Sequence, residues 1–236
     1  MKTAIRTLLL AIAPLFAVTP LHAQVAAPDP VADPRNVVVD GHTRFTLLTP
    51  QLVRLEWSAD GRFEDRASLV FLDRHTPPVA FTRRVEHGWL VIATADLRLR
   101  YRRGSGRFGP QNLTITLKNG DTTVTWRPGM PDSANLKGTT RTLDGANGPV
   151  PLEPGLLSRD GWALVDDTGR PLFDASPWPW VVERASGERQ DWYFFGYGHD
   201  YRRALADFTR VAGKIPMPPR FAFGAWWSRY WATDTS

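Results

Sequence analysis

The strongest constraint on this chain is a period of two. In "LRLRYRR", Leu97, Leu99 and Tyr101 alternate with Arg98, Arg100 and Arg102. Successive side chains of a β-strand point to opposite faces, so such a stretch buries one face and solvates the other. The arginine row reads as the wet side of a half-buried strand; the alternative is a stripe for a polyanion. The same alternation runs, with interruptions, from Asn36 to about Trp126. "VVVDGHTRFTLL" is two short strands about Asp40-Gly41, and "LVRLEWSADG" alternates and stops at Gly61. "FTRRVEHGWLVIATADLRLRYRRG" is a meander that turns near His87-Gly88 and again near Ala95-Asp96. "NLTITLKNGDTTVTW" is the clearest hairpin. Leu113, Ile115 and Leu117 face one way and Thr114 and Thr116 the other, with Asn119-Gly120 supplying the positive φ of a type I′ turn. The sum predicts a mainly β chain built as a large antiparallel β-sandwich.

Composition bounds the function classes. Of 236 residues, 42% are apolar and 22% charged, enough to bury a core. Nineteen Gly and twenty Pro favour short strands and tight turns. The net charge of +5 comes with no basic run interleaved with aromatics, so no nucleic-acid partner is expected. The absence of cysteine excludes a disulfide framework, a Cys-ligated zinc and a thiol nucleophile.

The N-terminus reads as an export signal over residues 1–23. Lys2 and Arg6 precede an apolar stretch, Leu8 to Val18, that is too short to span a bilayer, and Ala23 offers a small cleavage residue. Residues 24–35 form a Pro-rich spacer. The expectation is a periplasmic or secreted protein with no membrane partner.

From Pro128 to Ser158 the periodicity is lost. Leu136, Leu143, Leu152, Leu156 and Leu157 in that stretch predict a packed loop. "GWALVDDTGRPLF" predicts another hairpin, with Asp166 and Asp167 as turn residues. "SPWPW" is either a sugar platform or packing surface, and "DWYFFGYG" reads as a buried strand. Asp200 is a plausible N-cap for one helix, whose apolar stripe is Ala204, Leu205, Phe208 and Val211. Gly213 suits the left-handed position that ends it. Just before that helix, His199 is either a proton carrier or a structural hydrogen-bonding group. Residues 36–214 thus form one domain. After a proline linker, "RFAFGAWW" predicts a new strand buried on both sides, within a second segment, 215–236. No phosphate loop, dinucleotide fingerprint, zinc motif or nucleophile elbow is present.

Two runs carry a resemblance: "LDGANGPVPLEPGLLSRDGWALVDDTG" and "DWYFFGYGHDYRRALADFTRVAGKIPMPPRFAFGAWWSRYW". Their order and spacing resemble the front of glycoside hydrolase family 31, from about Asn135 to Trp231. The resemblance implies a galactose-mutarotase-like sandwich ahead of a (β/α)₈ barrel, with "RFAFGAWWSRYW" matching the first barrel strand. The chain would then hold the first strand of a truncated barrel. It implies retaining hydrolysis by two carboxylates about 5 Å apart. In the family both are Asp residues on later barrel strands, the nucleophile within a Trp-x-Asp-Met-Asn-Glu-like segment. No such segment occurs here, so no catalytic residue is assigned, and no cofactor or metal is implied.

What the resemblance offers is a set of candidate sugar contacts. Tyr230 matches an aromatic that lines the glycone pocket. Arg229 and Trp231 sit beside it at the strand's carboxyl end, where barrel active sites are built, with Trp227 just before them. Trp227, Tyr230 and Trp231 either contact sugar or fill the sandwich–barrel interface, and Arg229 either bonds a hydroxyl or a catalytic carboxylate or forms a structural salt bridge; Trp226 reads as interface packing. Arg159 and Asp160 in "SRDGW" belong either to a sandwich loop that shapes the pocket or to a local Asp-Gly turn with Arg159 paired nearby. The expected function is the N-terminal part of an exported retaining α-glycosidase acting on α-glucosides, inactive without its barrel. Its partners would be an oligosaccharide or α-glycoside and that missing barrel. The alternatives are a non-catalytic carbohydrate-binding β-sandwich and an incomplete gene product.

Overall fold

The computed structural model describes residues 27–140, 142–215 and 217–224. In chain order the strands are β1 (Val37–Asp40), β2 (Thr43–Thr49), β3 (Leu52–Ser58), β4 (Thr82–Glu86), β5 (Trp89–Ala93), β6 (Leu97–Arg102), β7 (Leu113–Asn119), β8 (Thr122–Trp126), β9 (Ala163–Asp166), β10 (Leu172–Phe173), β11 (Val181–Val182) and β12 (Arg189–Phe195). One helix, α1 (Tyr201–Ala212), follows. The first sheet has the order β1-β2-β3-β12-β9 and the second is the meander β4-β5-β6-β7-β8; both are antiparallel. The mainly β sandwich expected from the alternation is what forms. No described helix is long and apolar enough to cross a membrane.

The main core lies between the sheets. Phe45, Leu47, Val53, Leu55, Trp57 and Phe194 from the first meet Leu90, Ile92, Leu97, Leu99, Leu113, Ile115, Leu117 and Trp126 from the second. Each such side chain contributes about 1.5–3 kcal/mol on burial. In β6 the period of two is realised as read, with Leu97, Leu99 and Tyr101 buried and the arginines between them exposed. A second apolar cluster covers the other face of the first sheet. There Leu48, Leu52, Phe71, Tyr193 and Phe195 pack under Ala204 and Val211 of α1.

Several sequence expectations are corrected. The β7–β8 turn is centred on Gly120-Asp121, because Asn119 already pairs with Thr122. Among those two only Gly120 has a positive φ (61°), the pattern of a type II′ turn rather than type I′. "GWALVDDTGRPLF" is not a hairpin. β9 pairs with β12 and β10 with β11, since strand pattern reports a buried face and not a partner. The helix stripe excludes Leu205, which is 47% exposed, and includes Asp207, which is buried. Positions 204, 207, 208 and 211 share one helical face by i, i+3, i+4 spacing. Asp207 is tolerated there because the Tyr197 hydroxyl (2.8 Å) and Arg203 Nε (2.9 Å) donate to it. Asp200 does cap the helix, accepting from the Arg203 N–H at 3.1 Å. Gly213 has the expected positive φ, 84°, but with ψ 160° its backbone is extended, not left-handed helical.

At the C-terminal side, Arg220–Phe223 is a single 3₁₀ turn rather than part of a buried strand, and Phe221 and Phe223 are each 72% exposed. The remainder of the expected barrel strand lies outside the described residues, as does the expected export signal.

Candidate functional site

Residues 134–159 form an arm rather than a packed loop. Its two limbs are joined by backbone bonds: Leu136 N–H to Leu157 O (2.9 Å), Gly138 N–H to Glu153 O (2.8 Å) and Arg159 N–H to Ala134 O (3.0 Å). Asn135 clamps the base. Its Oδ1 accepts from the Lys137 and Gly155 N–H groups, both at 2.8 Å, and its Nδ2 donates to Asp132 and to the Gly155 carbonyl. Gly155 is required there, because a Cβ would lie 2.5 Å from the Lys137 carbonyl oxygen. Beyond this base residues 142–149 are all exposed. Leu143 (67%), Leu152 (47%) and Leu136 (41%) are exposed, contrary to the expectation of packing; Leu156 and Leu157 alone pack on the second core. The arm is thus ordered at its root and uncovered at its apolar tip.

A cleft of about 690 Å³ lies between the root of the arm, the free edge of β9 and α1. Trp126 and Trp162 meet at 6.0 Å between ring centroids, and Leu164, Val165 and Phe208 extend the apolar lining. Asp132, Asn135, Asp166 and Arg170 supply a polar rim. The volume is that of a small-molecule site, with an apolar floor and a sparse polar rim. The rim carboxylates already accept internal bonds: Asp132 from Ser158 and Asn135, Asp166 from the Thr168 N–H.

Of the residues singled out from the sequence, Trp227, Arg229, Tyr230 and Trp231 lie outside the described residues, as does Trp226. Arg159 and Asp160 stand at the root of the arm. Asp160 Oδ2 accepts from the Ala134 N–H at 3.1 Å, and Gly161 (φ 80°) completes an Asp-Gly turn. This is the structural alternative for Asp160. The Arg159 side chain is exposed and pairs with no carboxylate among the described residues, while its carbonyl accepts from Asn119 Nδ2 and faces His199 Nε2 at 3.1 Å. His199 therefore makes a structural contact, tying the start of α1 to the arm. In "SPWPW", Trp178 and Trp180 are 81% and 68% exposed on the β10–β11 connection. The turn beneath them is held by Asp174, which accepts from Ser176 and from the Trp180 N–H.

The sequence reading missed a buried charge cluster on the outer face of β3 and β12. Arg54, 1% exposed, donates to both oxygens of Asp191 (2.8 and 2.7 Å) and lies 3.1 Å from Glu56. Arg44 pairs with Glu56 and Asp65. Arg184 reaches both Asp167 (2.7 Å) and Asp191 (3.0 Å), and Ser68 donates to Asp167. Asp167, assigned to a turn surface above, is in fact completely buried. Burial, and then the nearby Asp191 charge, push its carboxyl up to about 6 against the pull of Arg184. Glu56 is also raised by burial, whereas the Arg54 and Arg184 charges overcome burial and hold Asp191 low. Perturbed carboxylates mark candidate active sites, but the space against this cluster is about 10 Å³, room for one water at most. The cluster is therefore structural. Its signal was available: Asp191 opens a run, "DWYFF", otherwise apolar on both strand faces, and a charge there needs a partner.

No protein-family model and no curated protein matches the chain. Among solved structures it is similar to a Flavobacterium johnsoniae GH31 dextranase complexed with glucose, at 17% identity and a TM-score of 0.46. It is also similar to a mutant of that dextranase complexed with isomaltotriose, at 19% identity and a TM-score of 0.47. Each match covers 78% of this chain and 27% of the dextranase, so the chain spans about a quarter of the length of the protein it resembles.

Proposed function

We propose that the chain is the substrate-shaping N-terminal β-sandwich of an exported retaining α-glycosidase acting on α-glucosides, and that hydrolysis requires a catalytic barrel in addition to it. The observation that carries this reading is the arm. A root fixed by Asn135 and Asp160 supports an arm on which Leu143 and Leu152 stay exposed. That is how a loop is built when a second body completes the pocket, and the motif run resembling glycoside hydrolase family 31 begins at this arm. The described chain offers an apolar cleft but commits its rim carboxylates to internal bonds. The expected result is therefore no release of p-nitrophenol from p-nitrophenyl α-glucoside by the purified 236-residue protein; measurable release would overturn the reading. An in-frame continuation past Ser236 bearing two barrel-strand aspartates is the matching genetic expectation. Export is tested by the mature N-terminus, expected at Gln24.

A second reading, a non-catalytic carbohydrate-binding module, is favoured by exposed Trp178 and Trp180 on an ordered turn. It requires that the isolated chain bind α-glucan and that Trp178→Ala weaken that binding.

A further inference from the structure

The mouth of the sandwich at the end away from α1 holds a second cleft, of about 680 Å³. Glu188, just before the first residue of β12, belongs to this end; Phe195, the last residue of β12, lies at the end that carries α1. The β1–β2 turn, the end of β3, the loop after β6 and the segment before β12 bring Asp40, His42, Trp57, Arg103 and Glu188 to the cleft.

Two of these groups are more than nine-tenths buried and keep hydrogen-bonding capacity that no described residue uses. Trp57 is 8% exposed, and its Nε1 has no hydrogen-bond acceptor among the described residues. Asp40, its side chain 7% exposed, receives Arg103 Nε (2.8 Å) and a terminal guanidinium nitrogen (2.7 Å) on one oxygen alone. The other oxygen accepts nothing among the described residues. His42 Nδ1 lies 2.9 Å from the Ser58 carbonyl, which can only accept. The neutral ring therefore carries its proton on Nδ1 and offers Nε2 as an acceptor. The Glu188 carboxylate forms no ion pair among the described residues.

The charge pattern selects the ligand. Asp40 and Glu188 oppose an anion, and Arg103, together with Arg107 over the Trp57 ring at 5.8 Å, opposes a cation. No described group of three or more metal-ligating side chains exists that would hold an ion. The mouth carries both donors (Trp57 Nε1, Arg103) and acceptors (Asp40, His42 Nε2, Glu188), the complement of hydroxyls, each able to donate and accept. Gly41 and Gly104 supply positive φ (58° and 67°) at the rim, where a Cβ would meet nothing within 4 Å. We propose that this cleft binds a neutral saccharide unit through Asp40, His42, Trp57 and Glu188, apart from the cleft beside β9.

The test is isothermal titration of the purified chain with maltotriose and with isomaltotriose. His42→Ala combined with Glu188→Ala is expected to weaken binding about tenfold or more, because two hydroxyl acceptors are lost, with the far-UV circular dichroism of the folded chain unchanged. Trp57→Phe, which keeps an aromatic side chain and removes the N–H, is expected to weaken binding as well. Absence of saccharide binding by the parent chain, equal binding by the double variant, or preferred binding of inorganic phosphate or calcium would each overturn the proposal. None of these readouts depends on hydrolysis, so the assignment to a glycosidase stands or falls separately.

Discussion

Strands β3 and β6 carry nearly the same pattern and meet opposite fates. "LVRLEWS" and "LRLRYR" both alternate apolar residues with charges. In β6 the charges are exposed, and the strand is half-buried as its pattern says. In β3 every residue is buried, Arg54 and Glu56 included. The difference is what lies on the second face. The second sheet is a local meander whose outer side meets water. The first sheet receives β9 and β12 from more than a hundred residues downstream, and the connection from Ala59 to Phe81 folds back over its outer face. Alternation reveals that one face is apolar; it says nothing about what a distant segment will place on the other.

The sharpest way to break this comparison is to delete the same residue type from each strand. Arg54→Ala leaves Asp191 and Glu56 buried with one cation fewer, and removing one partner of a buried pair costs about 3–5 kcal/mol. Urea unfolding should register that loss as a lower midpoint. A cost near that of a surface substitution would mean that Arg54 is not the organiser of the cluster.

A subtler test uses Asp167. Its folded-state carboxyl titrates at about 6, above the ordinary value of about 3.9 in an unfolded chain. Between those values the folded protein binds the extra proton. Stability contributed by this group is therefore complete below about pH 4 and is lost as pH rises through about 6. The loss amounts to roughly 2–3 kcal/mol. Asp167→Asn removes the titration, so its stability curve should be flatter than the parent's across that window. Parallel curves would show that the buried carboxylate carries no such proton.

These residues also show what the sequence made legible. The β4–β8 meander was readable because its partners are neighbours and its turns are marked by His87-Gly88 and Gly120. The helix was readable from Asp200 and Gly213. The pairing of β9 with β12 was not, because it spans a long connection and leaves no local mark. Asp167 was misread for the same reason. Asp-Thr-Gly is turn chemistry, and the backbone does turn there, with the Arg170 N–H bonded to the Asp167 carbonyl at 3.1 Å. Only the arrival of Ser68 and Arg184 from separate segments draws the carboxylate inward. At the candidate site, "SRDGW" lies at the root of the arm, where Asp160 accepts from the Ala134 N–H, a contact between distant segments that no local pattern announces. The exposure of Leu143 and Leu152 could not be foreseen, since a leucine in a loop looks the same whether it packs on its own domain or waits for another.

The smallest effect belongs to the other half of the comparison. Arg100 of β6 lies with its guanidinium 4.9 Å from the centroid of the Trp89 ring, across the β5–β6 pair. An exposed cation–π contact of this kind is worth about 0.5–1 kcal/mol. Arg100→Ala should therefore lower stability by no more than that, and Arg100→Lys by less, because a lysine keeps the charge over the ring but loses the planar stacking. Salt should discriminate further. The Arg100 contribution faces solvent and should weaken as ionic strength rises, whereas the Arg54 contribution is shielded by protein and should not. Were the two arginines to respond alike to salt, the division between a wet and a covered charged face would fail, even if the two strands still differed in cost.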